Sequence, residues 1–230
     1  MARGVLGLRR IGHGGTLDPL ATGLLVLLVG ETTRSTELLH TAPKVYDALV
    51  RFGNETATDD REGEATRSAA PPGDRGSIEA VLAPLRGAIQ QVPPAYAAVK
   101  VGGRTAYSRA RSGEIVELAA REVHVHRLEM TEWNPPHARL LIVCSSGTYV
   151  RSIARDLGRA LGSAAHLAAL RRLAIGALDI AEAIDIEALR AAGRNAAIAR
   201  LRVMDEGVLA LPRRYLDESA AKLVGAGGRT

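Results

Sequence analysis

Aromatic side chains are scarce in this chain of 230 residues: they make up 3% of it, as one Phe, one Trp and five Tyr. Each Tyr is therefore a candidate for a dedicated task, such as stacking on an RNA base. Cysteine is nearly absent. The single Cys144 excludes an intramolecular disulfide and any zinc cluster built on cysteines, and fits a reducing, cytoplasmic setting. Long apolar runs are missing as well, since none reaches the roughly 18 residues of a membrane span. The first 29 residues have the outline of a signal peptide, with Arg3, Arg9 and Arg10 ahead of the apolar stretch from Leu24 to Val29. Asp18, Pro19 and several glycines interrupt it, and no small-residue cleavage site follows. Lysine is almost unused: of 30 basic residues only Lys44, Lys100 and Lys222 are not arginine.

What is present is ordinary in amount, with 47% apolar and 24% charged residues, as in soluble globular proteins. The length suits one large domain, or one domain with a small appendage. A formal charge of +5 with a pI near 9.8 favours a polyanionic partner, because guanidinium forks match phosphate geometry. Arginine richness is equally compatible with genome composition, so charge alone does not decide.

The stretch Gly12 to Gly23, GHGGTLDPLATG, is too rich in Gly and Pro for a regular element and reads as an ordered loop. Leu24 to Val29 reads as a short buried strand, and Lys44 to Phe52 as another. The polar stretch from Gly53 to Gly76 predicts an exposed, mobile loop. Ile78, Val81, Leu82, Leu85 and Ile89 recur at helical spacing, with Ser77 placed to cap. Pro93 to Gly103 should be extended and turning, followed by a short helix from Thr105 to Ser112 with Gly113 just past its end. Strands are expected over Arg121 to Met130 and Arg139 to Cys144, and a helix from Thr148 to Leu161 with its stripe at Val150, Ile153, Ala154, Leu157 and Leu161. Leu170 to Leu178 returns to the sheet. The alanine-rich remainder is helical until Pro212 begins a tail. An α+β fold on a mixed, mostly antiparallel sheet follows.

Two constellations carry chemistry. In the first loop Asp18 is the one carboxylate, bounded by glycines and set directly before an apolar strand. It reads either as a partly desolvated functional acid or as an Asx-turn residue before Pro19. A phosphate cradle is excluded because no Lys-Ser/Thr pair follows the glycines. In the second, CSSGTYVRSIARDLG, a helix opens near Gly147 and Thr148 and carries Arg151 and Arg155 four residues apart, on one face. That face either meets solvent or orients a buried carboxylate.

These segments resemble the TruB family of tRNA pseudouridine synthases over about Arg9 to Leu178. GHGGTLDPLATG is similar to the family's catalytic loop and KVYDALVRFG to its base-stacking strand. PPAYAAVKVGGRTAYSRARSGE matches its central segment, and CSSGTYVRSIARDLG and HLAALRRLAIG its later signatures. The resemblance implies a pseudouridine-synthase-like fold and an isomerase acting on the T-loop uridine conventionally numbered 55. No cofactor and no metal are implied. Asp18 would be the catalytic nucleophile, Tyr46 the residue stacked on the extruded uracil, and Arg151 the ion-pair partner of Asp18. Leu170 would close the pocket, and His13 would fill the space that the flipped base leaves. Gly14, Thr16 and Tyr149 fall in the same motifs as expected substrate contacts, with Lys44, Lys100, Arg104, Arg109 and Arg172 as expected phosphate contacts. The implied partner is tRNA, through its T arm, with no membrane and no protein partner; a monomer is expected.

Two departures stand out. The family's N-terminal strand, with its Lys-Pro-x-Gly-x-Thr-Ser motif, is not found ahead of the catalytic loop. At the other end LPRRYLDESAAKLVGAGGRT resembles the opening of a small RNA-binding PUA domain, so residues 1–210 are expected to form the catalytic domain and 211–230 the start of the second. A tRNA affinity below that of a relative carrying the whole second domain is expected.

Overall fold

The computed structural model describes residues 1–112, 114, 118–204 and 217–225; the side chains of residues 100, 101, 111, 220 and 223–225 are not described. Its centre is a seven-stranded sheet in the order Leu178–Asp179, Ala165–Ile175, Lys44–Phe52, His137–Cys144, Arg121–Asn134 and Gly87–Gln91, with Ala21–Gly23 lying beside Ala165–Ile175. Neighbours pair antiparallel, except that Ala21–Gly23 runs parallel to Ala165–Ile175. The mixed, mostly antiparallel α+β reading holds.

Alternation explains which face is buried. Ala48, Val50 and Phe52 on one central strand, and Ala138, Leu140, Ile142 and Cys144 on the next, point to the same side. There they meet Ile78 and Leu82 of the helix Arg75–Leu82 and Ile153, Ala154 and Leu157 of the helix Val150–Ala160. Phe52 and Trp133 meet edge to face, ring centroids 5.9 Å apart.

Several element boundaries move. The helix expected to reach Ile89 ends at Leu82: Pro84 cannot continue it, a 3₁₀ turn Ala83–Leu85 follows, and Ile89 lies in the strand Gly87–Gln91. Its cap is Asp74, whose carboxylate accepts from the Ser77 amide at 2.9 Å, not Ser77. Only Leu27–Val29 of the predicted apolar strand is extended; it pairs with Ile11–His13. The stretch from Lys100 to Thr105 makes a two-residue hairpin, and the short helix spans Ala106–Arg111, capped by Thr105. Gly113 and Pro212 lie outside the described residues. The stretch read as an exposed loop contains a hairpin, Asn54–Thr56 with Ala65–Ser68, and a turn in which Glu55, Thr56, Asp59 and Asp60 are buried. Polarity hides burial when each charge finds a partner.

Gly23 ties the first loop to the sheet. Its φ is 101°, and a Cβ there would lie 2.3 Å from the Arg172 carbonyl oxygen. Gly23→Ala should therefore separate Ala21–Gly23 from Ala165–Ile175, lowering stability by about 1–3 kcal/mol or more. Urea unfolding is the check, and a midpoint equal to that of the parent would refute the close approach.

Candidate active site

Asp18 sits at the first corner of a turn closed by the Ala21 amide donating to its carbonyl at 2.9 Å. Leu20, next but one, is buried in the main core and anchors the turn. The Asp18 carboxylate is thereby directed at the first turn of Val150–Ala160. Arg151 donates to it through a fork, Nε to Oδ2 at 2.9 Å and Nη2 to Oδ1 at 3.2 Å. The Arg151 side chain is only 6% exposed, whereas Asp18 keeps 28%. One carboxylate is thus held rigidly with part of it open to an approaching molecule, which disposes of the solvated-face alternative for Arg151.

Around this pair lies an open cleft of about 1100 Å³. Tyr46, Tyr96, Tyr107 and Tyr149 line it, so every tyrosine among the described residues gathers here. Tyr46 is on the Lys44–Phe52 strand opposite Ile142 and Arg172, and burial raises its phenol above the usual value, with the Cys144 and Asp18 charges acting in the same direction. Tyr96 and Tyr107 meet edge to face at 6.0 Å. Tyr149 lies under the Arg121 guanidinium, 4.8 Å from the ring centroid, and exchanges two backbone hydrogen bonds with the Gln91 amide. Leu170, buried, stands level with Ala48 and Ala21 at the cleft. Thr16 is an exposed part of the same lining.

Four expectations change. Arg172 is 1% exposed, and its guanidinium donates to the carbonyls of Leu24 at 2.8 Å, Gly15 at 3.0 Å and Thr16 at 3.3 Å. It fastens the Asp18 loop from beneath the cleft, where its charge and a hydrogen bond also act on the Tyr46 phenol, opposing the effect of burial. Lys44 is also buried; its ammonium donates to the Leu39, His40 and Ala42 carbonyls, closing the end of the helix Thr36–Thr41, and to the Ser146 hydroxyl. Burial pulls its pKa down to about 8. Gly14 is a packing position: its amide donates to the Val26 carbonyl at 2.9 Å, and a Cβ would come within 2.8 Å of Leu39. His13 is exposed on its strand opposite Leu27, and the lining of the cleft starts at Gly15. Arg104 and Arg109 both pair with Glu114. The Lys100 side chain lies outside the described residues.

The sequence reading missed the acids that surround Arg151. Asp60 Oδ2 lies 3.7 Å from its Nη1, and the Thr58 and Tyr96 carbonyls accept from it at 3.0 and 3.2 Å. One turn further on, Arg155 is 7% exposed and donates to Asp59 at 2.7 Å; a turn beyond, Arg159 forks onto Glu55. Spacing three acids at 55, 59 and 60 against arginines at 151, 155 and 159 was the available signal, but only the fold aligns them. Among the described residues no group of three or more His, Cys, Asp or Glu side chains is placed to hold a metal, and no helix is long and apolar enough to cross a membrane.

A mixed sheet with an acid and arginine fork at a tyrosine-lined cleft is the arrangement of a pseudouridine synthase. Residues 3–150 match the family model for the TruB family pseudouridylate synthase N-terminal domain, and residues 151–209 that for the tRNA pseudouridylate synthase B C-terminal domain. The chain is 45% identical over 223 residues to a tRNA pseudouridine synthase B from Aromatoleum aromaticum, spanning 97% of this chain and 72% of that one. It is 47% identical over 191 residues to one from Xanthomonas campestris pv. campestris, spanning 83% and 62%. Among solved structures it resembles a chain of a Cbf5-Nop10-Gar1 complex, with a TM-score of 0.73 and 25% identity, covering 98% of this chain and 61% of that one. The chain belongs to the TruB family.

If Arg172 fastens the loop, Arg172→Gln will lower stability by about 3–5 kcal/mol, as loss of a buried cation from its acceptors does. The salt dependence of tRNA binding should stay unchanged; a slope reduced by about 1 would restore the phosphate role.

Proposed function

We propose that the chain isomerises uridine to pseudouridine in tRNA, at the T-loop position 55. The observation that carries this reading is the Asp18 carboxylate, forked by Arg151 yet partly open, in the cleft that Tyr46 and Leu170 line. A carboxylate so placed can act as nucleophile, stabilise positive charge on the ribose, and later leave. The N1 to C1′ bond breaks, the uracil turns, and C5 bonds to C1′; C5 loses a proton and N1 gains one, so composition is unchanged and no redox agent is needed. The target base must be flipped out of its stack, which costs a few kcal/mol. Tyr46 then stacks on the uracil beside the departing C5 proton, Leu170 closes the pocket, and Thr16 and Tyr149 border the bound strand. The setting is cytoplasmic, the enzyme a monomer, and residues 1–210 the catalytic unit with 211–230 beginning an RNA-binding appendage. An RNA-guided subunit is disfavoured, since relatives named tRNA pseudouridine synthase B are 43–47% identical and the chain of the Cbf5-Nop10-Gar1 complex 25%.

Incubation with unmodified tRNA followed by pseudouridine mapping should give product from the parent and none from Asp18→Asn. Product from both would remove Asp18 as nucleophile; binding of tRNA without product from the parent would favour a tRNA-folding protein. Burial raises the Tyr46 phenol above its ordinary value, which favours the protonated form. Tyr46→Phe, which retains stacking, should therefore slow the reaction about 100-fold by a factor that stays constant from about pH 6 to 9. A deficit that grows with alkalinity would mean that a phenolate acts instead.

A further inference from the structure

The helix Val150–Ala160 presents Arg151, Arg155 and Arg159 one turn apart, and the segment from Glu55 to Asp60 meets them with Asp60, Asp59 and Glu55. The middle rung is the best enclosed. Asp59 Oδ2 accepts from Arg155 Nη1 at 2.7 Å, and the same guanidinium donates to the Val92 carbonyl at 2.9 Å and to Asp156 at 2.9 Å. Asp59 is held in a left-handed conformation, φ 58°, which only surrounding contacts maintain in a residue with a Cβ. Its carbonyl accepts from the Leu167 amide at 3.0 Å, three residues before Leu170 on the same strand. The residues on either side of it, Thr58 and Asp60, are those that touch Arg151.

We propose that Asp59, through Arg155, is a positioning residue for the isomerisation: it fixes the turn from Thr58 to Asp60, which in turn sets the angle of the Arg151 fork on Asp18. The proposal rests on the activity proposed above. Without this rung the turn has no charge-assisted tie to the helix at its centre, and the Thr58 carbonyl can draw back from Arg151. A small rotation of the fork misdirects the carboxylate without touching the surface that tRNA meets, so chemistry slows while binding persists. The rung also titrates. Burial pushes the Asp59 carboxyl up to about 6 against the opposing pull of Arg155, Arg151 and Arg159, with Asp156 and Asp60 the neighbouring acids. As pH falls through that value the charge on the rung is lost, and the rate should fall with it.

Asp59→Asn is a clean probe because Asn tolerates a left-handed backbone and keeps an acceptor oxygen. Its single-turnover rate on unmodified tRNA should fall about 10–100-fold, with the tRNA dissociation constant within about twofold of the parent. The acidic limb of its rate profile should move to lower pH. Glu55→Gln, on the outer rung, should reduce stability but leave the rate unchanged. If Asp59→Asn folds poorly, Arg155→Lys, which keeps charge and removes the fork, should show the same split of rate from affinity. An unchanged rate in Asp59→Asn would overturn the proposal, as would equal losses in the Asp59 and Glu55 variants. Absence of product from the parent would instead sink the activity.

Discussion

Two arginines on one face of the helix Val150–Ala160, Arg151 and Arg155, are taken out of water, and the third, Arg159, is the exposed partner of the buried Glu55. A buried charge whose partner is removed leaves a penalty of about 3–5 kcal/mol, so Arg151 and Arg155 each demand an acid or a set of carbonyls, and the buried Glu55 demands a cation. The chain supplies them from two directions. The loop before the first sheet strand brings Asp18, and the hairpin region after Phe52 brings Glu55, Asp59 and Asp60. Satisfying the helix thus pulls two sequence-distant segments to the same wall, and the cleft is the space between them. Of the acids gathered there, Asp18 is the one left partly uncovered, and chemistry can happen at it because the others answer the remaining charge.

Sequence reading recovered the sheet and the helix Val150–Ala160, because each carries a local signature, alternating apolar positions in one and a 3.6-residue stripe in the other, whereas the pairing of Asp18 with Arg151 was implied only by the resemblance to the TruB family. It failed where burial of charge decides. Arg172 and Lys44 look like solvent-facing phosphate contacts as letters, yet both lie inside, spent on backbone carbonyls. The stretch holding Asp59 and Asp60 looks like a mobile loop for the same reason, since polarity normally signals exposure. Nothing in the order of residues says which guanidinium an acid will meet 90 positions away. The shorter helix ending at Leu82 was, by contrast, readable from Pro84.

The aromatic economy is a second theme. Phe52 and Trp133 meet each other on the core side of the sheet, while Tyr46, Tyr96, Tyr107 and Tyr149 lie at the cleft. A ring with a hydroxyl can present an apolar face to a nucleobase and still satisfy its polar end, which a purely apolar ring cannot. Tyr149 is further fixed by the stacked Arg121 and the Gln91 amide, so one wall of the cleft is rigid before any ligand arrives.

The parallel pairing of Ala21 with Leu170 has a geometric consequence. Asp18 sits in the turn that leads into one strand and Leu170 lies on its neighbour, so their relative height at the cleft is set by strand register. A slip of one residue would turn Leu170 to the opposite face of the sheet and bring Ala169 or Arg171 to the mouth. Such a change is all or none, without intermediate widths. A single inserted or deleted residue between Gly15 and Gly23 that shifted this pairing would therefore act on the cleft wall through the whole strand at once.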